Sequence, residues 1–149
     1  MRAVIQRVQK AVVRTENHTA GQIDRGLLIL AGLDPEDERR DLEWMARKVL
    51  NMRIFDDEAG NMNKSVIDLR GEVLIVSQFI LHASTKKGNR PSFTKAAAPD
   101  LAERLYNDFT TMMRNGGVKV ETGVFGAHME VELINDGPVT IMMDSKNKE

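Results

Sequence analysis

A hydrolase that works through a serine needs the nucleophile, a base to take its proton and a group to hold the base. The chain offers Ser77 and three histidines, His18, His82 and His128. Ser77 lacks a Gly-x-Ser-x-Gly surround, so no strained strand-to-helix elbow presents its hydroxyl. His82 follows five residues later, and on a continued strand it would face the opposite side. His128 falls on the polar side of an alternating segment and His18 in a turn, so three solvated histidines are the simpler reading. Metal chemistry fares no better, because scattered histidines without cysteine or a His-x-x-x-His pair do not make a zinc site. The segment 56–61 looks like a calcium loop only superficially. Gly60 comes one position early, and Ile67 stands where a bidentate acid is required. Glu130 and Glu132 share a strand face, but they alternate with apolar residues as any solvated strand would. The expectation is a site without a strong side-chain catalyst, without metal and without cofactor.

The elements that must position such a site follow from composition and periodicity. At 149 residues, 42% hydrophobic and 29% charged, the chain reads as one soluble globular domain over 1–149. A domain of this size buries roughly 70% of the surface its unfolded chain exposes. With no cysteine there is no disulfide framework and no thiolate nucleophile. Met1 to Lys10 lacks the apolar core of a signal peptide, and the run Leu27–Ala31 is too short to span a bilayer. A cytoplasmic location is expected. The formal charge of -1 hides an uneven distribution. Residues 1–15 and 73–99 contain no acid, and the second stretch carries Lys86, Lys87, Arg90 and Lys95. Solvated loops are one reading of this pattern; a local basic surface for a few RNA phosphates is the other.

Segments 1–8 and 10–15 read as strands, 21–23 as a short one, and 27–33 as a strand buried on both faces. A helix is expected to start near Asp34-Pro35 or Asp37, with Leu42, Met45, Ala46 and Val49 on its apolar face. Arg53–Phe55 reads as a short strand closed by the turn 56–61, and Glu72–Phe79 as a buried strand delivering Ser77 and Gln78 at its end. A long loop over 82–98 precedes a helix from Pro99 to about Asn115, with Leu101, Leu105, Phe109 and Met112 on one face and Gly116 as its stop. Strands at 118–122, 128–134 and 139–143 close the chain. The fold class is mixed α/β: strand-rich sheets with two crossover helices in a single domain.

Between the last two strand patterns lies Asn135-Asp136-Gly137-Pro138-Val139-Thr140, which by itself reads as a plain trans hairpin turn. With Ser77-Gln78-Phe79 and Gly88-Asn89-Arg90-Pro91-Ser92-Phe93, it resembles the signature set of the D-aminoacyl-tRNA deacylases. The likeness runs from Ile5-Gln6-Arg7-Val8 to Asp144-Ser145. It implies hydrolysis of the ester joining a D-amino acid, or glycine, to the tRNA 3′ end. It also implies that Ser77, Gln78 and Phe79 form the catalytic pocket and contact the terminal adenosine, alongside Phe125, Gly126, Ala127 and Met129. Gly137-Pro138 would carry chiral selectivity, reaching into the partner's pocket of a homodimer with Arg7 as support. A Gly-Pro bond can be cis at modest cost, which would turn both neighbouring carbonyls to one side as acceptors for the substrate's α-ammonium. Lys86, Lys87 and Arg90 are the candidates for RNA contact.

The family usually reads Ser-Gln-Phe-Thr-Leu, whereas this chain has Ile80 in the threonine position. Either a hydroxyl there is dispensable, or the chain is altered in activity. An activated ester with a neighbouring ribose hydroxyl can be hydrolysed through orientation and backbone oxyanion stabilisation alone, which favours the first option. The alternatives are a non-catalytic RNA- or nucleotide-binding module and a serine hydrolase of small esters.

Overall fold

The computed structural model describes all of residues 1–149. Its organising strand is β1 (Arg2–Thr15), which pairs antiparallel with β2 (His18–Ile23), β3 (Gly26–Gly32) and β8 (Glu130–Asp144). β3 continues into β6 (Glu72–Ser77) and β7 (Lys119–Thr122), both pairings parallel. Parallel neighbours require crossovers. Helix α1 (Arg39–Asn51) lies in the first and α2 (Pro99–Asn115) in the second. The expected mixed α/β domain with two crossover helices is therefore the observed one. The sheet curls nearly into a barrel, bringing β2 over β7. At that crossing a Cβ on Gly21 would stand 2.6 Å from the carbonyl oxygen of Thr122.

One sheet face packs on both helices, with Ile5, Ile29 and Ile75 against Met45, Val49 and Phe109. The other face encloses a smaller cluster of Val8, Val13, Leu28, Leu74 and Val76. Leu27, Leu28 and Ile29 are all buried, because consecutive β3 side chains enter opposite clusters. Each such side chain contributes roughly 2 kcal/mol. No helix is long and apolar enough to cross a membrane.

Several boundaries differ from the sequence reading. Helix α1 begins at Arg39, because its acids are engaged elsewhere. Asp37 accepts from the Asp34 N–H at 2.7 Å and pairs with the Met1 α-ammonium, which also donates to Ser145 Oγ at 2.8 Å. Asp41 then caps the helix by accepting from the Glu38 N–H at 2.9 Å. Burial pushes the Asp41 carboxyl up, but hydrogen bonds from Lys146, Glu38 and Ser145 outweigh it and hold the pKa at about 2. The short strand is β4 (Phe55–Asp56), paired with β5 (Met62–Lys64) across the 56–61 turn. Asp57 closes that turn by accepting from the N–H groups of Ala59 and Asn61. In α2 the buried stripe is Ala102, Leu105, Tyr106, Phe109, Thr110 and Met113, so Leu101 and Met112 lie at its margin.

The largest correction concerns the end of the chain. Residues 130–144 form one strand, not a hairpin, and both halves of β8 pair with β1. Between the pairs Val8↔Asn135 and Gln6↔Thr140, the single residue Arg7 faces Asp136, Gly137, Pro138 and Val139. The strand leaves its ladder there as a bulge and rejoins it. The Gly137–Pro138 bond, whose isomer the sequence left open, is cis, so the plain trans turn is set aside.

Candidate functional site

The parallel strands β3 and β6 end beside each other, where ligand crevices form in α/β sheets. β6 stops at Ser77, two residues earlier than its sequence pattern reads. Gln78 N–H still donates to the Ala31 carbonyl at 2.8 Å, and the chain then turns through a 3-10 segment, Phe79–His82. A cavity of about 840 Å³ opens between this turn, the segment 93–99, the start of α2 and the segment 125–131. Such a volume suits a nucleoside-sized ligand.

Ser77, Gln78, Phe79, Phe125, Gly126, Ala127 and Met129 all line this cavity. Phe79 is half exposed and meets Phe93 edge to face, with ring centroids 5.5 Å apart and planes at 78°. It is a wall of the cavity rather than core. Ile80 lines the same wall. Phe125 packs on Tyr106 at 5.8 Å, and Tyr106 donates its hydroxyl to the Ile75 carbonyl at 2.7 Å. Burial pushes the Tyr106 hydroxyl up to about 12, so it is a neutral strut and not a base. Gly126, at φ 76°, turns the segment, and the amide hydrogens of Phe125 and Gly126 find no protein acceptor.

No hydrogen bond joins Ser77 to a histidine. His82, expected in solvent, is buried at 4% exposure and its Nε2 lies 3.0 Å from the Gly32 carbonyl, which requires Nε2 to carry the proton. Its Nδ1 faces Asp34 at 3.8 Å. This histidine pins the 3-10 turn to the end of β3. His128 precedes β8 and lines the cavity, but is exposed. No cluster of histidine, aspartate or glutamate could hold a metal ion.

Three groups of predicted residues lie apart from the cavity. Lys86, Lys87 and Arg90 are exposed on a loop closed by paired hydrogen bonds between Ser84 and Ser92, of 2.8 and 2.9 Å, and none has an acidic partner within 4.0 Å. Gly137 and Pro138 are exposed on the bulge of β8. Arg7, 7% exposed, supports that bulge: Nε donates to the Asp136 carbonyl at 3.0 Å and Nη1 to the Ile54 carbonyl at 2.6 Å. The carboxylates of Asp136 and Asp56 lie at 3.4 and 3.6 Å from the guanidinium. Sequence reading singled out neither the 96–99 wall nor Leu30. The run Ala96-Ala97-Ala98, whose small side chains admit a close neighbour, was the available signal.

Fold and cavity define a single-domain α/β protein whose site consists of backbone, aromatic and uncharged polar groups. The family model for D-Tyr-tRNA(Tyr) deacylase matches residues 4–144. D-aminoacyl-tRNA deacylases of Thermosipho africanus and Parabacteroides distasonis are 53% and 54% identical. The first match covers 98% of each chain and the second 100%. Among solved structures, one named c-Myc DNA Unwinding Element Binding Protein is 42% identical, with TM-score 0.90 over 97% of this chain and 98% of its own. A probable eukaryotic D-amino acid tRNA deacylase shares the fold at 20% identity and TM-score 0.81, over 95% of this chain and 97% of that one. The chain belongs to the D-aminoacyl-tRNA deacylase family. It is accordingly a hydrolase acting on aminoacyl-tRNA esters, which sets aside the non-catalytic alternative.

Proposed function

We propose that the chain deacylates D-aminoacyl-tRNA, and glycyl-tRNA carried by a non-cognate tRNA, while leaving L-aminoacyl-tRNA intact. The observation that carries this reading is a nucleoside-sized cavity walled by Ser77, Gln78 and the Phe79–Phe93 pair. It holds free backbone amides and no nucleophile–base pair. The terminal adenine packs on Phe79, with Ser77 and Gln78 supplying polar contacts. The amides of Phe125 and Gly126 face the ester oxygen as charge develops on it, and the neighbouring ribose hydroxyl assists the attack. Ile80 costs nothing on this reading, because no hydroxyl is needed in its position.

Ser77→Ala should therefore retain at least about a tenth of the wild-type rate, whereas loss of a true serine nucleophile costs ~10⁶-fold. Replacing the terminal 2′-hydroxyl of the tRNA by hydrogen should remove most of the activity. An inactive Ser77→Ala, together with an acyl-enzyme trapped on Ser77 of the wild type, would falsify the reading.

Lys86, Lys87 and Arg90 contact a few phosphates next to the 3′ end. Lys86→Glu with Lys87→Glu should weaken tRNA binding without altering chirality preference. The salt slope of wild-type binding should be shallow, about 0.7 per phosphate neutralised. Unchanged affinity at low salt would make the loop a solvated one.

The Gly137–Pro138 backbone carbonyls accept from the substrate α-ammonium, and in a homodimer each bulge serves the partner's cavity. With the ammonium and the ester carbon both fixed, a D side chain points outward and an L side chain collides with backbone. Glycine, having no side chain, passes.

A further inference from the structure

Asn135 stands where β8 leaves its ladder with β1, and Val139 stands just before the strand returns. A strand that bulges away gives up regular hydrogen bonds on both flanks. Here one side chain replaces them. The Asn135 Nδ2 donates to the Arg7 carbonyl at 2.9 Å and to the Val139 carbonyl at 3.0 Å. An amide nitrogen carries two hydrogens, and each bond uses one. Aspartate of the same size has no donor, serine has one, and glutamine is a methylene longer. The backbone of Arg7 is thus tied to the returning end of the bulge while its guanidinium holds the Asp136 carbonyl at 3.0 Å. Gly137 and Pro138 lie between those two ties.

We propose that Asn135 is a positioning residue for chiral selection, closing the neck of the β8 bulge so that the Gly137 and Pro138 carbonyls are presented at one fixed spacing. The inference rests on the reading that this backbone receives the substrate's α-ammonium. It adds the device that makes the backbone rigid there. Asn135 is itself half-buried and touches no part of the cavity, so its effect is transmitted only through the bulge.

The test measures deacylation of D- and L-tyrosyl-tRNA by wild type, Asn135→Ala, Asn135→Asp and Asn135→Gln, with melting curves in parallel and Gly137→Ala as reference. Asn135→Ala and Asn135→Asp should each lower kcat/KM for D-tyrosyl-tRNA about tenfold or more, as loss of two partly buried hydrogen bonds implies. They should shrink the D/L ratio by a similar factor. Asn135→Gln, which keeps both donors, should recover part of the ratio. A residue of purely structural importance would move the melting temperature and scale both substrates together, leaving the ratio where it was. Wild-type ratios in all three variants, with a reduced ratio in Gly137→Ala, would overturn the role of Asn135 and leave the Gly-Pro reading standing. A wild-type ratio in Gly137→Ala as well would overturn both. Should Asn135→Asp not fold, Asn135→Ser, with one donor remaining, takes its place and should fall between Gln and Ala.

Discussion

Arg7→Ala is expected to lower the melting temperature by about 10 °C and to abolish most deacylation. Arg7 is 7% exposed, and its guanidinium donates to two backbone carbonyls, Asp136 at 3.0 Å and Ile54 at 2.6 Å. Truncation leaves both acceptors, and the nearby carboxylates of Asp56 and Asp136, without their cation. Removing one partner of such a buried charged group costs about 3 kcal/mol, against about 1 kcal/mol for an exposed pair. For a domain of this size each kcal/mol is worth about 3 °C. Arg7→Lys should recover little, because a single ammonium cannot reach both carbonyls as the planar fork does. Differential scanning calorimetry with a deacylation assay measures both effects. A melting shift below about 2 °C would mean that water replaces the guanidinium, and that Arg7 does not support the bulge.

The second large effect is expected at Gly137. A Cβ built there would lie 2.8 Å from Val139 Cγ2 and 2.9 Å from the Val139 nitrogen, and φ is 139°, a region that side chains disfavour. Gly137→Ala must therefore displace the bulge backbone. Rejecting L-aminoacyl-tRNA by ~10⁴ requires about 5.5 kcal/mol of discrimination. One methylene in a side-chain pocket supplies only about 1–3 kcal/mol. Rigid backbone can supply more, because a rotamer change cannot relieve a clash against it. The D/L ratio should fall by roughly ten- to hundredfold in Gly137→Ala, measured with paired tyrosyl-tRNAs. Glycyl-tRNA should be affected less than D-tyrosyl-tRNA, having no side chain to misplace. Light scattering on the active protein checks the arrangement that places the bulge against a partner. A mass of one 16.7 kDa chain with full activity would rule out a cross-subunit role.

Much of this molecule was legible in the sequence where the signal is local. The aliphatic run of β3, the stripe Leu42–Met45–Ala46–Val49 and the Pro99 helix start each depend on a few neighbouring residues, and each is found in place. The continuity of β8 was not legible, because Asp136-Gly137-Pro138 punctuates like a turn and only pairing with distant β1 overrides it. The start of α1 was obscured by Asp34 and Asp37, good caps in isolation, whose carboxylates are drawn to backbone and to the Met1 amine. His82 read as solvated because nothing nearby in sequence announces the Gly32 carbonyl it reaches. The cavity residues were named through a likeness of motifs. Their convergence depends on β3 and β6 being parallel neighbours, which no short window contains.

The central place of β1 bears on how the chain is made. Its Arg2 side chain bonds Asp144, a residue 142 positions later, and β8 covers nearly its whole length. During synthesis β1 thus waits for the much later β8 before both its edges are paired. Contacts so far apart in sequence slow folding, and an aliphatic strand left half-paired invites annealing with another chain. On the growing polypeptide, β1 and β3 are the segment a chaperone has most reason to hold.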